Sequence, residues 1–201
     1  MIPGELVVAI FGSGTDEDRA IAVACAEAGA RIALATLDRS QKQDYAMNSI
    51  ANEVWSIGPD QFVSVIDSTE STDVNAFAAE VWDRFGRCDL LVANHNVPTG
   101  APIDELSADE WEDTIALNLT GPFLAAHAFG RNMERQGGGT ILLAAHRHPG
   151  SDAAYRAAKA GLAGLAQALA EAWERRGVTV ELLPAGDGED IARAAAARLA
   201  K

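Results

Sequence analysis

Tyr155 and Lys159 stand four residues apart in the stretch Y-R-A-A-K. On a helix, positions i and i+4 share one face, so these two side chains would be neighbours. A free phenol titrates at about pH 10, too high for efficient proton exchange near neutrality. A neighbouring ammonium favours the phenolate and lowers that value. Such a pair is suited to trading a proton with a carbonyl or alcohol oxygen. By itself the spacing also fits an ordinary helix face, and its weight depends on what surrounds it.

A second chemical signal lies near the N-terminus, in "VVAIFGSGTDEDRAIAVA" at residues 7–24. An apolar strand turns on glycines and enters an Ala-rich helix, which is how a dinucleotide-binding site begins. Gly12, Ser13 and Gly14 are the residues that would meet phosphate. Asp16, Glu17 and Asp18 follow at once, so a loop suited to a negative ligand is crowded with acids. Further candidates are His146 and His148 in "AAHRHPG" and Ser151, which is placed to cap the next helix.

These residues need elements to hold them. Apolar runs predict strands at Leu6–Phe11, Arg31–Thr36, Gln61–Ile66, Leu90–Asn94, Thr140–Ala144 and Thr179–Leu183. Helical segments are expected near 16–28, 41–57, 72–85, 108–135 and 152–175, with a last one from about 189. "SADE" at 107–110 reads as a capping box, and Gly29, Gly58 and Gly177 as C-terminal caps. The alternation predicts an α/β fold: a Rossmann-like, doubly wound parallel sheet in three layers, one domain over 1–201. In such sheets a ligand sits beyond the carboxyl ends of the strands, at the switch point. That gathers Gly12–Asp18, Thr36–Arg39, Asp67, Asn94–Asn96 and Ala145–His148 around one crevice.

The ordered set of motifs resembles the short-chain dehydrogenase/reductase family over nearly the whole chain. "FGSGTDEDRAIA" stands where the family has its glycine-rich turn, and "VID" ends on Asp67 where the family has an adenine-contacting Asp. "LLVANHN" resembles the segment after the fourth strand and contributes Asn94. "ALNLTGPF" holds Asn118, "YRAAK" the Tyr-Lys pair, and "GVTVELLPAG" the sixth strand with its Pro-Gly end. The resemblance implies hydride exchange with a nicotinamide, Tyr155 as proton donor or acceptor and Asn118 in a relay to Lys159. It also implies that Lys159 holds the nicotinamide ribose. A seventh strand and a substrate-covering loop, usual in the family, are expected to be missing here, which would leave the sixth strand as an edge.

Several positions depart from the family pattern. His146 falls where the family keeps a catalytic Ser. With Gly12 as the first glycine, Asp16 and Asp18 replace the two later ones. Two unit charges about 4 Å apart repel by about 4 kcal/mol at an effective dielectric near 20, equivalent to roughly a thousandfold in binding. Either the acids cap the helix in place of a cofactor phosphate, or the loop has shifted register and turns them to solvent. Thr36 counts to the ribose-binding position, with Asp38 favouring NAD and Arg39 favouring NADP. Asn96 would crowd the adenosine ribose, and His95 reads as a surface or turn histidine.

The net charge of −13 disfavours nucleic acid and anionic membrane as partners. The start of the chain lacks the pattern of a signal peptide, and Cys25 and Cys88 read as buried thiols of a reducing cytoplasm, not as a metal site. The helix at 152–175 is small and apolar around most of its girth, with Gly161, Ala168 and Trp173 as candidates for an outer face. Family members pair through this helix and the one before it, which implies an oligomer. The departures favour a member with weak or no NAD(P)-linked activity of its own, acting as a homo- or hetero-oligomeric subunit. The alternative is a functional NAD(P)(H)-dependent oxidoreductase on a carbonyl or secondary alcohol. A third reading is a module that keeps the crevice for another small ligand.

Overall fold

Continuous apolar runs such as Val7–Phe11, buried along their whole length, need cover on both faces, and helices supply it. The structure, a computed structural model, describes residues 6–98, 101–146, 153–183 and 188–199. His148 and Ser151 lie outside the described residues, as does the Pro-Gly end of the last strand. Six strands, β1 (Val7–Phe11), β2 (Arg31–Ala35), β3 (Gln61–Ser64), β4 (Leu90–Ala93), β5 (Gly139–Ala144) and β6 (Val178–Leu183), form one sheet in the order β3-β2-β1-β4-β5-β6. All pairings are parallel, with Val8 opposite both Ile32 and Leu90. The chain reverses direction of winding between β1 and β4, so the switch point falls where the candidate residues were expected. Among the described residues β3 and β6 are the edges.

The helices are α1 (Asp16–Glu27), α2 (Gln41–Ile57), α3 (Ser71–Phe85), α4 (Ala108–Ile115), α5 (Gly121–Gln136), α6 (Ala153–Trp173) and α7 (Gly188–Leu199). One face of the sheet packs on α1, α2 and α7 through Ile10, Ile21, Met47 and Ile191, and Cys25 lies in this layer. The other packs on α3, α5 and α6 through Phe11, Phe77, Phe129 and Leu162, and Cys88 lies there. Ser40 caps α2, and Ser107 with Glu110 forms the expected capping box of α4. The single helix expected at 108–135 is interrupted. Between α4 and α5 the backbone forms a π-turn, Ala116–Thr120, centred on Asn118.

Trp173, expected on the outer face of α6, is buried instead. Its ring lies over Gly130 of α5, where a Cβ would come within 2.7 Å of Trp173 Cζ2. Ala157, Ala160, Gly161, Gly164 and Ala168 of α6 are exposed. Trp111 of α4 and Phe123 of α5 are each 40% exposed. No helix among the described residues is long and apolar enough to cross a membrane.

Candidate functional site

The turn after β1 is built from one donation at a time. Gly12 N–H donates to Ala35 O of β2 at 3.1 Å, which fixes the chain as it leaves the sheet. Gly14 then adopts φ +83°, a conformation L side chains rarely take, with no room for a Cβ against Ala46 of α2. Thr15 caps α1, and Thr15 with Asp18 closes a reciprocal capping box.

Asp18 turns inward and is 1% exposed. Its Oδ2 accepts from the amides of Ser13 (3.0 Å), Gly14 (2.9 Å) and Thr15 (2.9 Å), and from Thr15 Oγ1 (2.9 Å). Its Oδ1 accepts from Asn94 Nδ2 at 2.7 Å. Burial, the larger effect, pushes this carboxyl up, and the donors from Asn94, Thr15 and Gly14 pull it back. Asp16, expected to obstruct the site beside Asp18, is exposed and lies outside it. The alternative with all acids turned to solvent is not the one the loop adopts.

Beyond Asn94 the network continues. Asn94 Oδ1 lies 2.6 Å from His146 Nε2. Because the Asn94 amide donates to Asp18, it presents its oxygen to His146, and Nε2 carries the proton. His146 Nδ1 stands 3.6 Å from Glu17 Oε2, and the same oxygen accepts from Asn96 Nδ2 at 3.2 Å. Asn96 Oδ1 in turn accepts from the hydroxyl of Tyr155 at 2.9 Å. That hydroxyl also reaches His146 O at 3.4 Å.

Tyr155 is 1% exposed. Burial pushes its phenol above the ordinary range, and the Glu17 carboxylate adds to the rise. Lys159, the residue expected to lower this value, stands beside the phenol on the same helix face. Lys159 Nζ donates to His95 O, lies 3.5 Å from Ala144 O, and sits 5.3 Å from the centroid of the Tyr155 ring. Burial brings the Lys159 ammonium down to about 7, opposed by Glu17.

Asn118 uses its amide on backbone. Its Oδ1 accepts from Val97 N at 3.1 Å, and its Nδ2 donates to Val97 O (3.0 Å) and Thr114 O (3.1 Å). Thr36, placed by counting at the ribose position, is instead buried. Its hydroxyl donates to Ile66 O and accepts from Ile66 N, both at 2.9 Å, and so ties β2 to the exit of β3. Asp38 accepts from Ser40 N and Gln43 Nε2, and Arg39 forks onto Asp73. Asp67 Oδ1 accepts from Thr69 N (2.9 Å) and Thr69 Oγ1 (2.6 Å).

His95 corrects a further expectation. It is fully buried rather than at the surface, stacked on Phe11 at 5.5 Å, with neither ring nitrogen hydrogen-bonded. Gly121 makes the space, since a Cβ there would stand 2.8 Å from His95 Cδ2. Burial, aided by the Lys159 cation, holds His95 neutral, down to about 3.

The structure thus brings Gly12, Ser13, Gly14, Asn94, His146, Tyr155 and Lys159 into one crevice. Thr36 and Asp67 stand at its β2–β3 corner with partners of their own. The residue missed by sequence reasoning is Glu17, the hub between His146 and Asn96. Its signal was present only as one acid among three. Asp18 was legible in principle, because a Thr three residues before an Asp is the spacing of a capping box.

This is the architecture of a dinucleotide-type α/β sheet with its crevice at the switch point. Residues 7–190 match the family model described as short chain dehydrogenase. The chain is 34% identical over 184 residues to the D-threitol dehydrogenase of Mycolicibacterium smegmatis, spanning 88% of this chain and 68% of that one. It superposes on a metagenomic short-chain oxidoreductase solved in complex with NADP, with a TM-score of 0.84 and 28% identity, over 99% of this chain and 92% of that one. A similar fit to an NAD+-bound xylitol dehydrogenase has a TM-score of 0.80 and 25% identity, over 90% and 70%. The chain belongs to the short-chain dehydrogenase/reductase family. In this member, a phosphate brought to the amides of Ser13, Gly14 and Thr15 would meet the Asp18 carboxylate already there.

Proposed function

We propose that this chain is a family member with weak or no NAD(P)-linked turnover of its own, serving as a subunit of a homo- or hetero-oligomer in the cytoplasm. The observation that carries the reading is the state of Tyr155. Its hydroxyl is buried, spent on Asn96, and raised in pKa by burial and by Glu17. A proton donor needs reach to a substrate oxygen and a pKa near the working pH, and both are compromised here. The nicotinamide cofactor does not fit the arrangement of the loop, so no step is assigned through it.

Assembly would use the face of α4, α5 and α6. There Ala157, Ala160, Gly164 and Ala168 allow close approach of a partner helix, and Trp111 and Phe123 offer apolar area to bury. The second reading, an active oxidoreductase on a carbonyl or secondary alcohol, draws on the Tyr155–Lys159 pair and on relatives named as dehydrogenases.

Light scattering on the purified chain, joined to NADH and NADPH oxidation with a panel of aldehydes and ketones, tests both. The expected result is a mass of two or more chains, lowered to one by Ala160→Arg with Ala168→Arg, and no turnover above that of Tyr155→Phe. Robust turnover abolished by Tyr155→Phe would overturn the first reading in favour of the second.

A further inference from the structure

We infer that Asp18 is a tethered anion that fills the phosphate nest of this chain, so that the nest accepts a phosphate or pyrophosphate group only once that carboxylate is removed. The inference rests on the reading that this chain has weak or no NAD(P)-linked turnover, and extends it from the Tyr155 end of the crevice to the loop.

Three features of the loop carry it. One oxygen, Oδ2, gathers three successive backbone amides and the Thr15 hydroxyl at 2.9–3.0 Å. Amides converging in this way at a helix N-terminus are the donors that hold a phosphate oxygen. The other oxygen accepts from Asn94 at the end of β4, so the carboxylate is fastened across the sheet as well as to its own helix. Finally, a Cβ on Gly12 would overlap the Asp18 carboxylate. The bare backbone that elsewhere lets a pyrophosphate approach here admits a side chain. Asp18 is thus a substitute ligand in place of a lost glycine.

Phosphate and Asp18 cannot share the nest. Two unit charges at about 4 Å and an effective dielectric near 20 oppose each other by the equivalent of about a thousandfold in binding. A ligand carried on the same chain also competes at an effective concentration of roughly millimolar or more. Free pyrophosphate at millimolar concentration should therefore fail to displace it.

The test is amide NMR on the 15N-labelled full chain, titrated with inorganic pyrophosphate, beside Asp18→Gly. In the native chain the Ser13, Gly14 and Thr15 amides should exchange slowly and stay unmoved by millimolar pyrophosphate. In the variant the same three amides should lose protection and shift with pyrophosphate, with affinity raised at least about a hundredfold. A folded variant that ignores pyrophosphate overturns the inference. If the variant does not fold, the native chain decides alone: fast exchange at these three amides, or a shift with pyrophosphate, overturns it. Protected amides in a chain that nevertheless reduces carbonyls through Tyr155 would sink the weak-turnover reading and leave the tethered anion standing.

Discussion

Asn118→Ala separates a structural clamp from a catalytic relay. The side chain is buried in the π-turn and makes three hydrogen bonds, two of them to the backbone of Val97 and one to Thr114 O. A net contribution of about 0.5–1.5 kcal/mol for each bond puts the loss at about 2–3 kcal/mol, allowing for water at half-buried Val97. For a chain of this size that is a fall in Tm of roughly 5–10 °C. Urea unfolding followed by circular dichroism is the assay, and the midpoint should drop with an unchanged slope. Asn118→Asp is the sharper control. It keeps an acceptor for Val97 N–H but turns an oxygen toward the carbonyls of Val97 and Thr114, so it should be at least as damaging as alanine. A loss below about 0.5 kcal/mol for alanine, or an aspartate variant more stable than the alanine one, would refute the clamp.

Other consequences are open to direct measurement. His95 is held neutral when folded, down to about 3, against an ordinary value of 6.5. Its folded pKa is depressed, so the unfolded state binds the extra proton between these values and stability falls as pH drops from about 6.5 toward 3, by up to about 1.4 kcal/mol per unit. His95→Leu should flatten that acid limb in urea titrations across pH. Gly130→Ala forces a methyl into the Trp173 ring and should cost about 1–3 kcal/mol in the same assay. Thr15→Ala removes the cap of α1 and one donor to Asp18, and should lower stability by about 1–2 kcal/mol on calorimetric melting.

The sheet was legible because its central strands β1, β2 and β4 are apolar runs buried on both faces, a pattern read from residue type alone. The strand ends were less so. Thr36 and Asn94 continue the apolar runs of β2 and β4, yet the ladder closes at Phe11, Ala35 and Ala93, and the next residues turn toward the crevice. The proximity of Tyr155 and Lys159 followed from helical spacing, but the rise of the Tyr155 phenol comes first from burial and then from Glu17, and both are set only by the fold. His95 looked like a turn residue because its burial is set by Gly121 on a distant helix. Trp173 was misplaced because a helix that is apolar on most sides does not announce which side faces the sheet. Nothing in composition marks the π-turn at Asn118, whose side chain reaches out of the helix to the backbone of Val97.

Cys25 and Cys88 lie on opposite faces of the sheet, the first on α1 and the second just before β4, in the layer of α3 and α5. Burial lifts the first thiol to about 12 and the second further out of reach, so neither offers a thiolate to an alkylating reagent while its layer is shut. The molecule therefore carries two clocks, one in each layer, that start only when their surroundings open. Equal labelling rates at the two positions would describe a sheet whose faces come apart as one cooperative unit. Unequal rates would show which layer lets go first.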